Sequence, residues 1–150
     1  MKKLLVILLL LFPFHGAWAT ADKFSLICIF NTIRDIETGK VKTLDHTSTT
    51  HQMSFIIDLK KEITGRGHRI DFIDEQSFKW RAPARHELID GAWLIHILQV
   101  DRITGKIESN ISYPLSWDDT VYYKENRNAY PKFEFHGLGT CESKPFIKKF

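Results

Sequence analysis

The residues best suited to chemistry form one short run, Lys79-Trp80-Arg81, with Arg85 and His86 close behind. On a strand, Lys79 and Arg81 share one face while Trp80 takes the other. A strand of this kind, ending at a proline-bearing loop, could offer cations and a stacking ring to an anionic glycan or to an acidic cleft on a partner protein. The plainer arrangement puts Trp80 in the core and leaves its charged neighbours in water, and it is the preferred one.

Catalytic constellations are harder to find. Of the seven histidines, His15 falls in the leader described below, and His46, His51, His68, His86, His96 and His136 remain. Zinc or copper needs several of them to converge. Neither an H-E-x-x-H pair nor a paired-cysteine spacing is present, so no metal and no cofactor is expected. His96 lies in an otherwise apolar stretch, where a hydrogen-bonded core histidine is the ordinary state. Asp118 and Asp119 are adjacent and point to opposite faces of a strand. They read, with Asp71, Asp74 and Glu75, as solvated turn acids. No G-x-S-x-G elbow, phosphate-cradling glycine loop or dinucleotide fingerprint occurs. Enzyme activity is therefore disfavoured, and a small periplasmic hydrolase assembled from dispersed carboxylates and histidines is the alternative.

These residues hang on extended segments, the clearest being a hairpin from Trp93 to Tyr113. Its first arm is apolar on both faces, with Trp93, Ile95 and Ile97 on one and Leu94, Leu98 and Val100 on the other, which predicts a strand covered on two sides. In its second arm Ile107, Ile111 and Tyr113 alternate with Glu108, Asn110 and Ser112, predicting one buried and one wetted side. Asp101-Arg102-Ile103-Thr104-Gly105-Lys106 joins the arms, with Gly105 in the left-handed conformation of a type I turn followed by a bulge. The wording recurs from Asp35 to Val41, and more loosely at Glu62-Ile63-Thr64-Gly65-Arg66, with glycine expected to supply a positive φ each time.

Further strands are expected at Phe24–Asp35, Val41–Asp45, Met53–Lys60, Arg69–Asp74, Val121–Tyr123 and Phe133–Cys141, with Pro114–Asp119 as a connector. Another carries Phe78 and Trp80, and Pro83 ends it or confines it to an edge. Eight or nine short strands without a 3.6-residue period describe an all-β domain. An antiparallel meander closed into a lipocalin-like barrel is preferred over a two-sheet sandwich.

With 43% hydrophobic and 13% aromatic residues, a chain of 150 residues supports one domain with a real core. Residues 1–19 stand apart from it. Lys2-Lys3, Leu4 to Phe12 and Ala17-Trp18-Ala19 follow the positive, apolar and small-residue order of a secretory signal peptide. Cleavage after Ala19, or after Ala21, leaves residues 20–150 as a single all-β domain. Removing the two leader lysines lowers the formal charge of +3 to +1, so nucleic acid is not an expected partner. The apolar run is shorter than the roughly 20 residues of a spanning helix. Counting back from Phe150 by twos breaks the alternation an outer-membrane strand needs, so the cleaved chain is not expected to embed in a membrane. In an oxidising compartment Cys28 and Cys141 are expected to pair, closing a loop of roughly 110 residues and removing about 4 to 5 kcal/mol of unfolded-state entropy.

In Asp101-Arg102-Ile103-Thr104-Gly105-Lys106, in Gly139-Thr140-Cys141 and Lys148-Lys149-Phe150 near the C-terminus, and in a second cysteine near the mature N-terminus, the chain resembles a group of small exported bacterial proteins of unknown function. The resemblance implies a compact β domain in the periplasm or outside the cell and assigns no catalytic residue. The sequence thus predicts an exported, non-catalytic binding or interaction module. Its partner is a small apolar ligand held inside the barrel, or a cell-envelope glycan or protein met by the loops.

Overall fold

A computed structural model describes residues 22–45 and 51–145; the signal-peptide reading of residues 1–19, His46 and the Lys148-Lys149-Phe150 ending lie outside them. The described chain runs β1 (Lys23–Asp35), β2 (Val41–Thr43), β3 (Gln52–Asp58), β4 (Ile63–Thr64), β5 (Ile70–Ile73), β6 (Ser77–Arg85), β7 (Trp93–Asp101), β8 (Lys106–Ser112), α1 (Trp117–Glu125) and β9 (Phe133–Pro145). The strands form one antiparallel sheet in the order β4-β3-β1-β9-β8-β7-β6-β5, with β2 beside the end of β1. Its two edges meet at one end. Ile63 bridges Arg69, the Thr64 N–H donates to the His68 carbonyl and the Ile70 N–H to the Glu62 carbonyl. The outcome is a nearly closed all-β barrel.

The first and last strands lie side by side, as expected, and Cys28 faces Cys141 across them in a disulfide. The Cys141 N–H donates to the Gly105 carbonyl on the opposite side, so the cysteines form a non-hydrogen-bonded pair, the position that brings facing side chains closest. β1 bulges between Phe30 and Thr32 as it passes Gly139. A Cβ on Gly139 would run into the Ile29 carbonyl oxygen and lie 2.8 Å from Phe30 Cα, so only glycine lets the two backbones approach here.

Two of the three echoed turns share one geometry. The Gly39 and Gly105 amides donate to the Asp35 and Asp101 carbonyls, each at 2.9 Å, and both glycines have φ of 70°. The Asp35 carboxylate accepts from the Thr38 amide, and that of Asp101 from Ile103 and Thr104. Those amide bonds hold both carboxyls below the usual carboxylate range. The third echo is corrected. Positive φ falls on Gly67 and Glu62, not on Gly65, whose amide is tied to the Ile56 carbonyl.

Inside the barrel Phe24, Leu26, Ile57, Phe78, Trp80, Leu98, Val100 and Ile107 pack with the disulfide as one cluster. Trp80 stacks on Phe78 at 5.6 Å and meets Phe55 edge-on at 5.0 Å. Burying each such side chain contributes about 1.5 to 3 kcal/mol.

The expected strand at Val121–Tyr123 and connector at Pro114–Asp119 are corrected to a helix, α1. The Ser116 hydroxyl accepts from the Asp119 amide at 3.1 Å and donates to the Asp119 carboxylate at 2.7 Å, a reciprocal N-cap. Thr120 is its buried residue, so the helix shows no apolar stripe for periodicity to detect. It lies across the outer face of β6 and β7, where Trp117 meets Trp93 at 4.4 Å. Ile95 and Ile97 are buried on that outer face, and Leu98 and Val100 point into the barrel, which accounts for the two apolar faces of β7.

Pro83 does not end β6, which continues to Arg85. β5 pairs only as far as Trp80, so beyond it β6 is a free margin on one side. The Ile95 amide donates to the Ser112 hydroxyl on the β8 side. Its facing residue Pro83 therefore turns its nitrogen toward the margin, where no ladder bond is lost.

Candidate functional site

The five residues singled out in sequence do not form one surface. Trp80 is 0% exposed and inside the barrel. Arg81, on the outer face, is 3% exposed. Its Nη1 donates to the carbonyls of Tyr123 at 2.6 Å and Ala129 at 2.7 Å, its Nη2 to Arg127 at 2.6 Å, and its Nε to Asp71 at 3.0 Å. The guanidinium thus closes the C-terminal end of α1, where unpaired carbonyls gather negative partial charge. Lys79 reaches the Tyr130 hydroxyl at 3.4 Å. Arg85 lies 5.5 Å over the Trp93 ring, and His86 Nδ1 accepts from the amides of Leu88 and Ile89 within its own hairpin loop. The stacking ring of the glycan-binding arrangement is therefore not available, and one of its cations is already saturated.

The free space lies at the other margin of β6. Along β6 the inward positions are large toward one end, Phe78 and Trp80, and shrink toward the other to Ala82 and Ala84. The same end is where the ring is not zipped, because β4 and β5 are short and the Thr64–His68 turn closes them off. Above that turn a cavity of about 380 Å3 opens between β3 and β6, with Met53, Phe55, Ile56, Ala82, Ala84 and Leu98 as apolar walls and Gln52, Ser54, Thr64, Arg66, His68 and His96 as polar ones. A second hollow of about 140 Å3 adjoins it, sharing Met53 and His96 and reaching Phe30, Leu44, His51, Ser109 and Ile111. Among the described residues no carboxylate lines either hollow.

Two buried hydroxyls border this space without a hydrogen-bond partner among the described residues: Thr64 Oγ1 on the larger hollow and Ser109 Oγ on the smaller. Buried polar atoms ordinarily find partners, so these two are exceptions in the interior. His96 stands where the hollows join, and burial pushes its imidazole below the ordinary value, favouring the neutral form. His68 is pushed down as well, by burial first and then by the charges of Lys124 and Arg66.

The carboxylates considered for catalysis lie elsewhere. Asp71 holds Arg81 and lies 3.7 Å from Arg127, the Asp119 carboxylate accepts from the Ser116 hydroxyl that caps α1, and Asp74 accepts from the amides of Gln76 and Ser77. His136 pairs with Glu108 at 3.8 Å. Among the described residues no three His, Cys, Asp or Glu side chains converge as metal ligands, and no helix is long and apolar enough to cross a membrane.

Sequence reasoning weighed His96 as a core residue and did not see the cavity. The available signal was the run of alternate positions Phe78, Trp80, Ala82 and Ala84, two large residues followed by two small ones on one face of one strand. No protein-family model, curated protein or solved structure matches this chain.

Proposed function

We propose that this protein is an exported, non-catalytic binding module that takes a small, largely apolar ligand into the unzipped end of its barrel. The observation that carries the reading is the cavity of about 380 Å3 between β3 and β6, apolar in its walls and bordered by the unpartnered Thr64 hydroxyl. Its size falls in the range of small-molecule sites, which combine apolar walls with a few polar groups that fix orientation. Phe24, Phe78 and Trp80 do not line the cavity, so binding there leaves that aromatic cluster in place. The disulfide between Cys28 and Cys141 supports an oxidising address, in a bacterial periplasm or outside the cell.

A hydrolytic reading draws on one observation, that His68 and His96 line the same cavity. It lacks a carboxylate there to orient either ring, and binding without chemistry is the better-supported reading.

The test uses N-phenyl-1-naphthylamine, an uncharged apolar dye that fluoresces in dry sites. The parent protein should bind it saturably, and Ala84→Phe, which fills the cavity from β6, should abolish the signal while leaving the unfolding midpoint within a few degrees. Undiminished dye binding by the filled variant, or none by the parent, defeats the proposal.

A further inference from the structure

Resting on that reading, we propose that the ligand is an amphipathic anion, its apolar body against Phe55 and Leu98 and its acidic head at the mouth between Arg66 and His68. Arg66 carries the one permanent charge among the described residues that line the cavity. The imidazoles of His68 and His96 line it as well, and no carboxylate among the described residues does. An uncharged ligand gives no reason for a one-sided rim.

The positive field extends beyond the mouth. Beside the cavity a basin is lined by Gly67, Arg69, Arg81, Lys124 and Arg127 with Asp71 and Glu125. Asp71 pairs with Arg81 and Arg127, which leaves Arg69 and Lys124 facing Glu125 as the one other carboxylate among the described residues of the basin. Arg127 Nη2 is buried with no hydrogen-bond partner among the described residues. His68 lies close to Lys124 and Arg66: its imidazole is held below the ordinary value by burial first and then by their charges. A negative head placed there relieves that repulsion and gains charge-assisted hydrogen bonds, while the tail covers apolar wall. An apolar body with a head held at the mouth also matches the order of the lining, with Arg66 exposed at the turn and Leu98 buried on the far wall.

The experiment is displacement of the same neutral dye by three probes of equal chain length: decanoate, decanol and decylammonium. Decanoate should displace the dye at a roughly tenfold lower concentration than decanol, and decylammonium should be the weakest. In a variant carrying Arg66→Ser and Lys124→Ser, both exposed positions, the decanoate and decanol values should converge, each variant supplying its own reference through decanol. Equal displacement by decanoate and decanol in the parent overturns the anionic assignment while leaving the binding reading intact. A decanoate preference that survives the double substitution overturns it too, because the head group then sits elsewhere. Failure of the dye itself to bind is the separate result that removes the binding reading.

Discussion

Nη1 of Arg81 donates to the main-chain carbonyl of Tyr123 at 2.6 Å, joining the middle of a barrel strand to the last turn of the molecule's one described helix. The same guanidinium reaches the Asn126, Arg127 and Ala129 carbonyls and the Asp71 carboxylate, and it lies 4.9 Å over the Tyr130 ring. A residue with the look of a surface cation is in fact the bolt that holds α1 and its following turn to the outer face.

Arg81→Met should therefore be among the most damaging single substitutions. It leaves Asp71, only 9% exposed, without its closest partner and strips several carbonyls of their donor, a loss of about 3 to 5 kcal/mol. Urea unfolding gives the number, and the near-ultraviolet signal of Trp93 and Trp117 should weaken as α1 loosens. Arg81→Lys should recover little, because an ammonium cannot span the fork of carbonyls. A loss under 1 kcal/mol would show that α1 holds itself.

The disulfide spans 113 residues of sequence. In the chain-entropy model its removal costs about 4 to 5 kcal/mol. The Cys28→Ala, Cys141→Ala double variant should still fold, since the aromatic cluster around Trp80 is unaltered, but with a urea midpoint well below that of the parent. An unchanged midpoint in the variant contradicts this account.

Gly139→Ala should destabilise by about 3 kcal/mol or prevent folding, because the new methyl meets backbone atoms of β1 that cannot rotate away. Gly91→Ala is the matched comparison. That glycine has φ of 73° with open space around it, so only the left-handed penalty of about 1 to 2 kcal/mol applies. Chemical denaturation of both variants separates a steric cost from a conformational one.

Burial holds the His96 imidazole below its ordinary value of 6.5, and no carboxylate among the described residues lines the cavity to favour the charged ring. As pH falls, the unfolded chain takes up this proton before the native one. The His96 contribution is thus complete above about pH 6.5 and declines as pH falls toward the lower native value. His96→Gln should lose less stability than the parent between about pH 7 and pH 5, measured by urea midpoints across that window. Parallel curves for the two proteins would mean that His96 is not neutral in the native state.

Strand positions were readable because they depend on neighbours two residues apart. Phe24, Leu26 and Cys28 alternate in the sequence and face inward in β1, and the Asp101–Gly105 turn carries its own acceptor and its own left-handed residue. The pairing of Cys28 with Cys141 was readable for a different reason: they are the only cysteines. Val121–Tyr123 was misread because β-branched and aromatic residues favour strands in isolation. What overrides that preference is Ser116 before them and Arg81 from another strand.

By itself the sequence determined the extended segments, the two tight turns and the covalent meeting of the chain ends, all of which rest on local stereochemistry or on a single possible pairing. The tertiary structure alone decided where the ring stays open and what lies behind the opening. The larger hollow is walled by Met53 and Phe55 of β3 and the Thr64–His68 turn on one side, and by Ala82 and Ala84 of β6 with His96 and Leu98 of β7 on the other. Only the closing of the sheet, which makes β3 and β6 face each other although four strands lie between them in its order, turns residues far apart in the chain into one space.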